Sequence, residues 1–230
     1  MKTAIAVFAK TPDLSPIKTR LAAGIGKERA KEFYLLSLKV AEELNQQVRE
    51  QSNHEVTPYW ALAEKEGADL PLWSAFDTLW TGDGGLGKRM HTVSAGLLME
   101  HDQVLLIGTD IPQLTPEILL EAIEQLKASP ESCVIGPSLD GGFYLIGSSH
   151  PIPEEVWTNV TYSRADTLEQ FLGKMADFGI PYSFLKELGD VDEYQDLKAL
   201  HEILSQDQNR ALPGQQKLYE WMKSKSPLIP

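Results

Sequence analysis

The sequence holds a single cysteine, Cys133, so no disulfide can close within the chain. That excludes the stapled secreted scaffolds and makes the cytoplasm the expected compartment. Cys133 opens the apolar run Cys133-Val134-Ile135, where a buried structural thiol is expected rather than a nucleophile. Long hydrophobic runs are missing as well, and no segment approaches the ~20 apolar residues that a membrane-spanning helix needs. The apolar stretch Ala4 to Ala9 behind Lys2 stops at Lys10, short of the core of a secretory signal. Positive charge is scarce: the formal net charge is -12. Nonspecific binding to nucleic acid or to an anionic membrane is therefore not expected. The five histidines, His54, His91, His101, His150 and His201, show no metal-ligand spacing. No Gly-x-Ser-x-Gly elbow is present, which argues against a serine hydrolase.

What is there reads as ordinary globular material, with 42% hydrophobic and 23% charged residues in 230. No repeat, low-complexity tract or linker divides it, so a single domain over 1–230 is expected. Strand and helix patterns alternate from end to end, which predicts an α/β fold with a largely parallel sheet. Strands are predicted over Thr3 to Ala9, Val56 to Leu62 (weakened by Pro58), Thr78 to Trp80, Gln103 to Gly108, Cys133 to Gly136, Phe143 to Gly147 and Tyr182 to Leu185. Phe33, Leu36, Val40, Leu44 and Val48 fall on one face of a helix. Further helices are expected from Gly87 to about Met99, after the Thr115 cap with Pro116 at its first position, from a Ser163 cap to Met175, and from about Tyr194 and Gln215.

The scarcity of positive charge makes one place conspicuous. The strand ending at Ala9 runs into a loop that carries Lys10, Lys18 and Arg20 and is stiffened by Pro12 and Pro16. A single cation there would be surface decoration. Three at the carboxyl end of a strand, in an acidic protein, point to an anion site, because open α/β sheets bind phosphorylated ligands at that position.

Acidic candidates lie elsewhere. Asp110 ends a core strand just before Pro112, where a carboxylate can hold a hard divalent cation or simply shape an Asx-turn. Asp190 and Asp192, two apart, face one side of an extended segment, or act as helix-start acids with Asp192 as the N-cap. Asp140-Gly141-Gly142 is a hairpin turn between two apolar runs, and its glycines could also bring backbone amides to an anion. Gly82-Asp83-Gly84-Gly85-Leu86-Gly87-Lys88 has P-loop spacing, yet Arg89 stands where Ser or Thr should bind Mg²⁺, so P-loop phosphohydrolase activity is the weakest reading.

Taken together, five segments resemble the nucleotide-diphospho-sugar transferase superfamily, in a bacterial glycosyltransferase-like branch related to cofactor guanylyltransferases. They are Phe8-Ala9-Lys10-x5-Pro16-x-Lys18-Thr19-Arg20-Leu21, Leu86-Gly87-x-Arg89-Met90, Ile107-Gly108-Thr109-Asp110-x-Pro112, Gly136-Pro137-x2-Asp140-Gly141-Gly142-Phe143 to Gly147, and Asp190-Val191-Asp192-x3-Asp196-Leu197. The resemblance implies a glycosyltransferase-A-like fold, a Rossmann-like three-layer α/β/α sandwich around a mostly parallel mixed sheet. It implies transfer of a nucleotidyl or glycosyl group from a nucleoside triphosphate or nucleotide-sugar to a small acceptor, with Mg²⁺ or Mn²⁺. Nucleotide contacts would come from Phe8, Ala9, Lys10, Pro16, Lys18, Thr19, Arg20, Gly87, Arg89 and Thr109. Lys18, Arg20 and Asp110 would be catalytic, Asp110 and Asp192 would hold the metal with Asp190 as second choice, and Asp140, Gly141, Gly142 and Ser163 would meet the acceptor. A lone carboxylate at Asp110, where many glycosyltransferases carry Asp-x-Asp, favours nucleotidyl transfer. The first loop lacks the paired glycines of many nucleotidyltransferases, which keeps a non-catalytic nucleotide-binding protein as the alternative.

Overall fold

The computed structural model describes residues 1–206 and 209–225. Seven strands form one mixed sheet: β1 (Thr3–Ala9), β2 (Val56–Leu62), β3 (Asp77–Trp80), β4 (Gln103–Ile107), β5 (Cys133–Pro137), β6 (Phe143–Ser148) and β7 (Tyr182–Phe184). Their order is β3-β2-β1-β4-β6-β5-β7. Strands β1 to β4 pair in parallel, β6 runs antiparallel to both β4 and β5, and β7 returns parallel to β5. The predicted mixed, mostly parallel sheet is therefore present, and the Asp-Gly-Gly segment turns the β5–β6 hairpin. Pro58 is tolerated in β2 because the edge strand β3 pairs only with Tyr59 to Leu62, so Pro58 lies outside that ladder.

The helices are α1 (Thr19–Ile25), α2 (Lys27–Gln51), α3 (Leu86–Leu97), α4 (Pro116–Ala128), α5 (Glu154–Thr158), α6 (Thr167–Asp177), α7 (Tyr194–Ser205) and α8 (Pro213–Ser224). Alternation along the strands builds the layers. In β1, Ile5, Val7 and Ala9 face a core shared with Leu38, Leu44 and Val48 of α2 and Leu119, Ile123 and Leu126 of α4. Ala4 and Ala6 face the opposite core, with Met90 and Val93 of α3, Trp157 of α5 and Phe171 of α6. Burying both faces explains why these strands read as unbroken apolar runs. A third cluster, around Leu21, Phe33, Leu197 and Leu218, packs α1, α7 and α8 beside α2. Cys133 is buried, as expected, and burial pushes its thiol up to about 11. Among the described residues, no helix is long and apolar enough to cross a membrane.

Several local expectations need correction. Thr115 stands at the N-cap of α4 but makes no side-chain capping bond; Pro116 and the tertiary packing fix that start. Ser163 lies in a loop at φ 61, and α6 begins only at Thr167 after Asp166. The N-cap of α7 is Glu193, not Asp192; Asp196 closes a capping box by accepting from the Glu193 amide, and from that of Asp192 as well. Helix α1, which begins within the segment read as the basic loop, and helix α5 were not predicted, each being too short to show a periodic apolar face.

Candidate functional site

The chain leaves β1, crosses to β2 and β3 on one side, and returns to β4 on the other side of β1. The loops after β1 and β4 therefore part company at their carboxyl ends, and a crevice opens between them. There lies a cavity of about 460 Å³. Lys10, Lys18, Arg20 and Arg89 line it, together with Thr109, Asp110 and Asp192. Phe8, Ala9, Pro16, Thr19 and Ser163 line it as well, so twelve sequence-level candidates meet in one place.

Besides Leu86, Met90, Phe143 and Ile146 from the five matching segments, the wall contains residues that the sequence did not single out: Ala61, Thr81 and Leu106. They are apolar or small, and in sequence they look like core. Only their position at the strand ends betrays them. Tyr34 also lines the cavity, and its hydroxyl donates to the Lys10 carbonyl (2.8 Å) while accepting from the Lys10 amide (2.9 Å). This single side chain on α2 fixes the exit of the loop from β1. Burial, opposed by that backbone contact, pushes its phenol above the ordinary range. Farther along, the Thr11 amide donates to Glu64 Oε2 at 2.6 Å, which pins the loop to the β2 end.

Lys18 is the centre of the polar network. It adopts left-handed backbone angles (φ 44, ψ 44) just ahead of α1 and turns its side chain inward, where only 3% of it is exposed. Its ammonium lies 2.5 Å from Asp110 Oδ1 and 3.2 Å from Asp192 Oδ1, and donates to the Val191 carbonyl at 2.6 Å. Burial works against the charge, but Asp110 and Asp192 outweigh it and hold the Lys18 pKa above the ordinary lysine value. Arg20 pairs with the other oxygen of Asp192. The Val191 amide donates to the Asp110 carbonyl (2.9 Å), so the late Asp-Val-Asp segment is tied to the β4 loop through backbone as well. From behind, Gln215 of α8 donates to the carbonyls of Pro112 (3.0 Å) and Leu114 (3.2 Å) and steadies that loop.

Five candidates lie outside this cavity. Gly87 is buried where α3 meets α5; a Cβ there would sit 2.1 Å from the Trp157 carbonyl oxygen, so its lack of a side chain serves helix packing. Asp140 and Asp190 line a neighbouring cavity of about 320 Å³, which shares Arg20 and Asp192 with the first. Gly141 (φ 88) packs against the backbone of Ala165. Its amide donates to Ser138, and the Gly142 amide donates to Asp140 Oδ1, so neither amide of this turn is left to meet an anion. Burial first, and then the charges of Asp140, Asp192 and Asp110, push the Asp190 carboxyl up to about 6.

The glycine-rich segment before α3 is not a phosphate cradle. Lys88 turns away to Glu154 of α5 (2.7 Å), and of these two cations only Arg89 lines the cavity, its Nε donating to the Gly84 carbonyl. The strand before it is the edge strand β3, four residues long.

Residues 47–164, just over half of the chain, match the family described as "Uncharacterized protein conserved in bacteria (DUF2064)". The chain belongs to the DUF2064 family. That span includes β4, Asp110 and the β5–β6 hairpin, but not the basic loop or the Asp190-Val191-Asp192 segment. Among solved structures, this DUF2064 chain is similar to a protein of Desulfovibrio desulfuricans G20 that carries a provisional nucleotide-diphospho-sugar transferase name. The TM-score is 0.83 at 24% identity, covering 100% of this chain and 97% of that one. It is similar to a CMP:2-keto-3-deoxy-manno-octonic acid synthetase solved with CTP, with TM-score 0.54, 13% identity, and 90% and 100% of the two chains covered. A cytidylyltransferase from Leptospira borgpetersenii matches with TM-score 0.54 at 12% identity over 100% and 97%. The nucleotide-diphospho-sugar transferase fold expected from the sequence is thus the fold of this family member. No curated protein matches the chain.

Proposed function

We propose that this protein is a transferase that binds a nucleoside triphosphate or a nucleotide-sugar together with Mg²⁺ or Mn²⁺ and passes a nucleotidyl or glycosyl group to a small acceptor. One observation carries the reading. Four cations, Lys10, Lys18, Arg20 and Arg89, gather with Asp110 and Asp192 in one cavity at the switch point of an otherwise acidic protein. The names of the similar structures support the same class, at the level of fold.

The residues present fit a divalent cation. Asp110 and Asp192 converge on one positive centre, the Lys18 ammonium. Among the described residues, no group of three or more His, Cys, Asp or Glu forms a closed metal cage. A pair of carboxylates suits Mg²⁺, which takes one or two of them and completes its shell with water and phosphate oxygens. When bound, the metal supplies charge neutralisation at the phosphates.

The protein's own groups do the rest. Lys10, Arg20 and Arg89 offset the remaining phosphate charge, in a cavity whose apolar wall weakens competition from water. Phe8, Met90 and Phe143 offer apolar surface to the uncharged part of the nucleotide. On the acceptor side, Asp140 and Asp190 share their cavity with Arg20 and Asp192. Asp190, its carboxyl raised to about 6, is ionised at neutral pH but more basic than an ordinary aspartate, which suits taking up the acceptor's proton better than holding the metal. The cytoplasmic location expected from the single cysteine belongs to this reading.

A thermal-shift panel of nucleoside triphosphates and nucleotide-sugars, with and without Mg²⁺, tests it. A ligand at ~100 times its dissociation constant adds about 2.7 kcal/mol, roughly 5–10 °C for a chain of this size. A Mg²⁺-dependent shift with triphosphates alone supports nucleotidyl transfer, and one with a nucleotide-sugar supports glycosyl transfer. No shift with any of them would sink the substrate class. Mg²⁺-dependent binding with no product from any acceptor would favour a nucleotide-binding protein without catalysis.

A further inference from the structure

The geometry points to a place-holding role for Lys18: we infer that its ammonium occupies the position between Asp110 and Asp192 that a divalent cation needs, and yields it when metal and nucleotide enter. The inference rests on the nucleotide site proposed above and goes beyond a lysine that simply contacts phosphate.

Three observations carry it. First, the ammonium is already placed as a cation between two carboxylates, at 2.5 Å and 3.2 Å. A second, doubly charged cation on the same carboxylates would meet strong repulsion from it. Second, the accessibility is graded. The Lys18 side chain is 3% exposed, while Asp110 is 48% and Asp192 27% exposed, so the carboxylates face the cavity and the ammonium lies beneath them. An incoming cation reaches the carboxylates first, from the open side. Third, Lys18 itself lines the cavity in which the phosphates are proposed to sit, so a displaced ammonium has a negative partner within reach. The left-handed backbone of Lys18 is a conformation that a non-glycine residue holds only when its surroundings impose it. Here the Val191 carbonyl and the two carboxylates supply that hold.

The consequence is an ordered site. Without ligand, Lys18 keeps Asp110 and Asp192 from repelling one another and holds both aimed at one point. Metal alone competes poorly for them, because nothing then accepts the ammonium. Metal arriving with a nucleotide brings the phosphates that do. Metal and nucleotide should therefore assist each other's binding through Lys18.

Mn²⁺ alone is the probe. Free Mn²⁺ is followed by electron paramagnetic resonance while wild type, Lys18→Met, and Lys18→Met combined with Asp110→Asn are titrated. The expected result is Mn²⁺ binding about tenfold or more tighter in Lys18→Met than in wild type, with the gain lost in the double variant. Equal or weaker binding in Lys18→Met overturns the inference, and so does a gain that survives in the double variant. Lys18→Met removes a buried ion pair and could fail to fold, so a second measurement uses the wild type. Labelling with an amine-reactive ester, read on the Lys18 peptide by mass spectrometry, should be slow without ligand and faster only at the high Mn²⁺ concentrations that saturate the wild-type site in the resonance titration. Unchanged labelling would contradict displacement. The proposed function fails separately: if wild type shows no Mn²⁺-dependent nucleotide binding while both Lys18 readouts respond, the nucleotide is lost and the exchange stands.

Discussion

The Lys18 ammonium and Asp110 Oδ1, 2.5 Å apart, join the loop after β1 to the loop after β4 across the crevice where the sheet order reverses. Each residue is ordinary by itself. A lysine after a strand and an aspartate after a strand are common, and either could be surface. Their meeting is a consequence of topology, because parallel neighbours β1 and β4 end on the same side of the sheet. Asp192 joins them through a late segment whose Val191 amide donates to the Asp110 carbonyl.

Asp110→Asn keeps the shape of the site and removes one of the two charges that face Lys18. The side chain is half-exposed, so the variant should fold and melt within a few degrees of wild type, a change of about 1–2 kcal/mol at most. Its Mg²⁺-dependent stabilisation by nucleotide should fall at least tenfold in affinity, about 1.4 kcal/mol. Calorimetric titration of the same nucleotide with and without Mg²⁺ checks this, and an undiminished Mg²⁺ effect would remove Asp110 from the metal site.

Lys88→Ala separates this site from a P-loop. Lys88 pairs with Glu154 at 2.7 Å, with both side chains close to half-exposed, and does not line the cavity. An exposed pair of this kind contributes about 0–1 kcal/mol. Nucleotide affinity in the variant should match wild type, whereas Arg20→Ala, which strips a cation from both cavities, should weaken it. Loss of binding in Lys88→Ala alone would restore the P-loop reading.

The site was legible in the sequence where charge ran against composition. Lys10, Lys18 and Arg20 stand out in a chain of net charge -12, and Asp110 stands out at the end of an apolar run. Much of the apolar wall was not legible, because Ala61 and Leu106 follow the same alternation as any buried strand residue. Nor was the role of Gly87, which belongs to the approach of α3 to α5, a contact between segments far apart in sequence. The Asp140-Gly141-Gly142 turn was found correctly as a hairpin, while its amides turned out to be used within the turn and its neighbours. Short α1 and α5 escaped because five to seven residues carry too little periodicity to announce a helix.

The packing argument for Gly87 can be tested against a second helical glycine. A methyl group at Gly87 would lie 2.1 Å from the Trp157 carbonyl oxygen, so α3 and α5 must part. Gly87→Ala should cost about 2–4 kcal/mol in urea unfolding. Gly173, inside α6 and exposed, has nothing within 4 Å of a new Cβ. Gly173→Ala should instead stabilise by about 0.5–1 kcal/mol. Opposite signs for the same chemical change would tie Gly87 to packing; a neutral Gly87→Ala would reopen a direct role at the nucleotide.

Asp190 gives the pH dependence. Burial first, with the charges of Asp140, Asp192 and Asp110 behind it, raises its carboxyl from 3.8 to about 6. The native state therefore holds this proton more tightly than the unfolded chain does. The contribution favours folding in full below about pH 4 and is lost as pH rises through about 6. Because Asp190 is only half-buried, the loss is discounted to about 1 kcal/mol. Asp190→Asn carries no such charge, so in EDTA its melting temperature should exceed that of wild type at pH 7.5 and converge with it near pH 4. A difference of constant size across that range would mean that Asp190 titrates alike in both states, and that the four carboxylates do not act on one another as their arrangement requires.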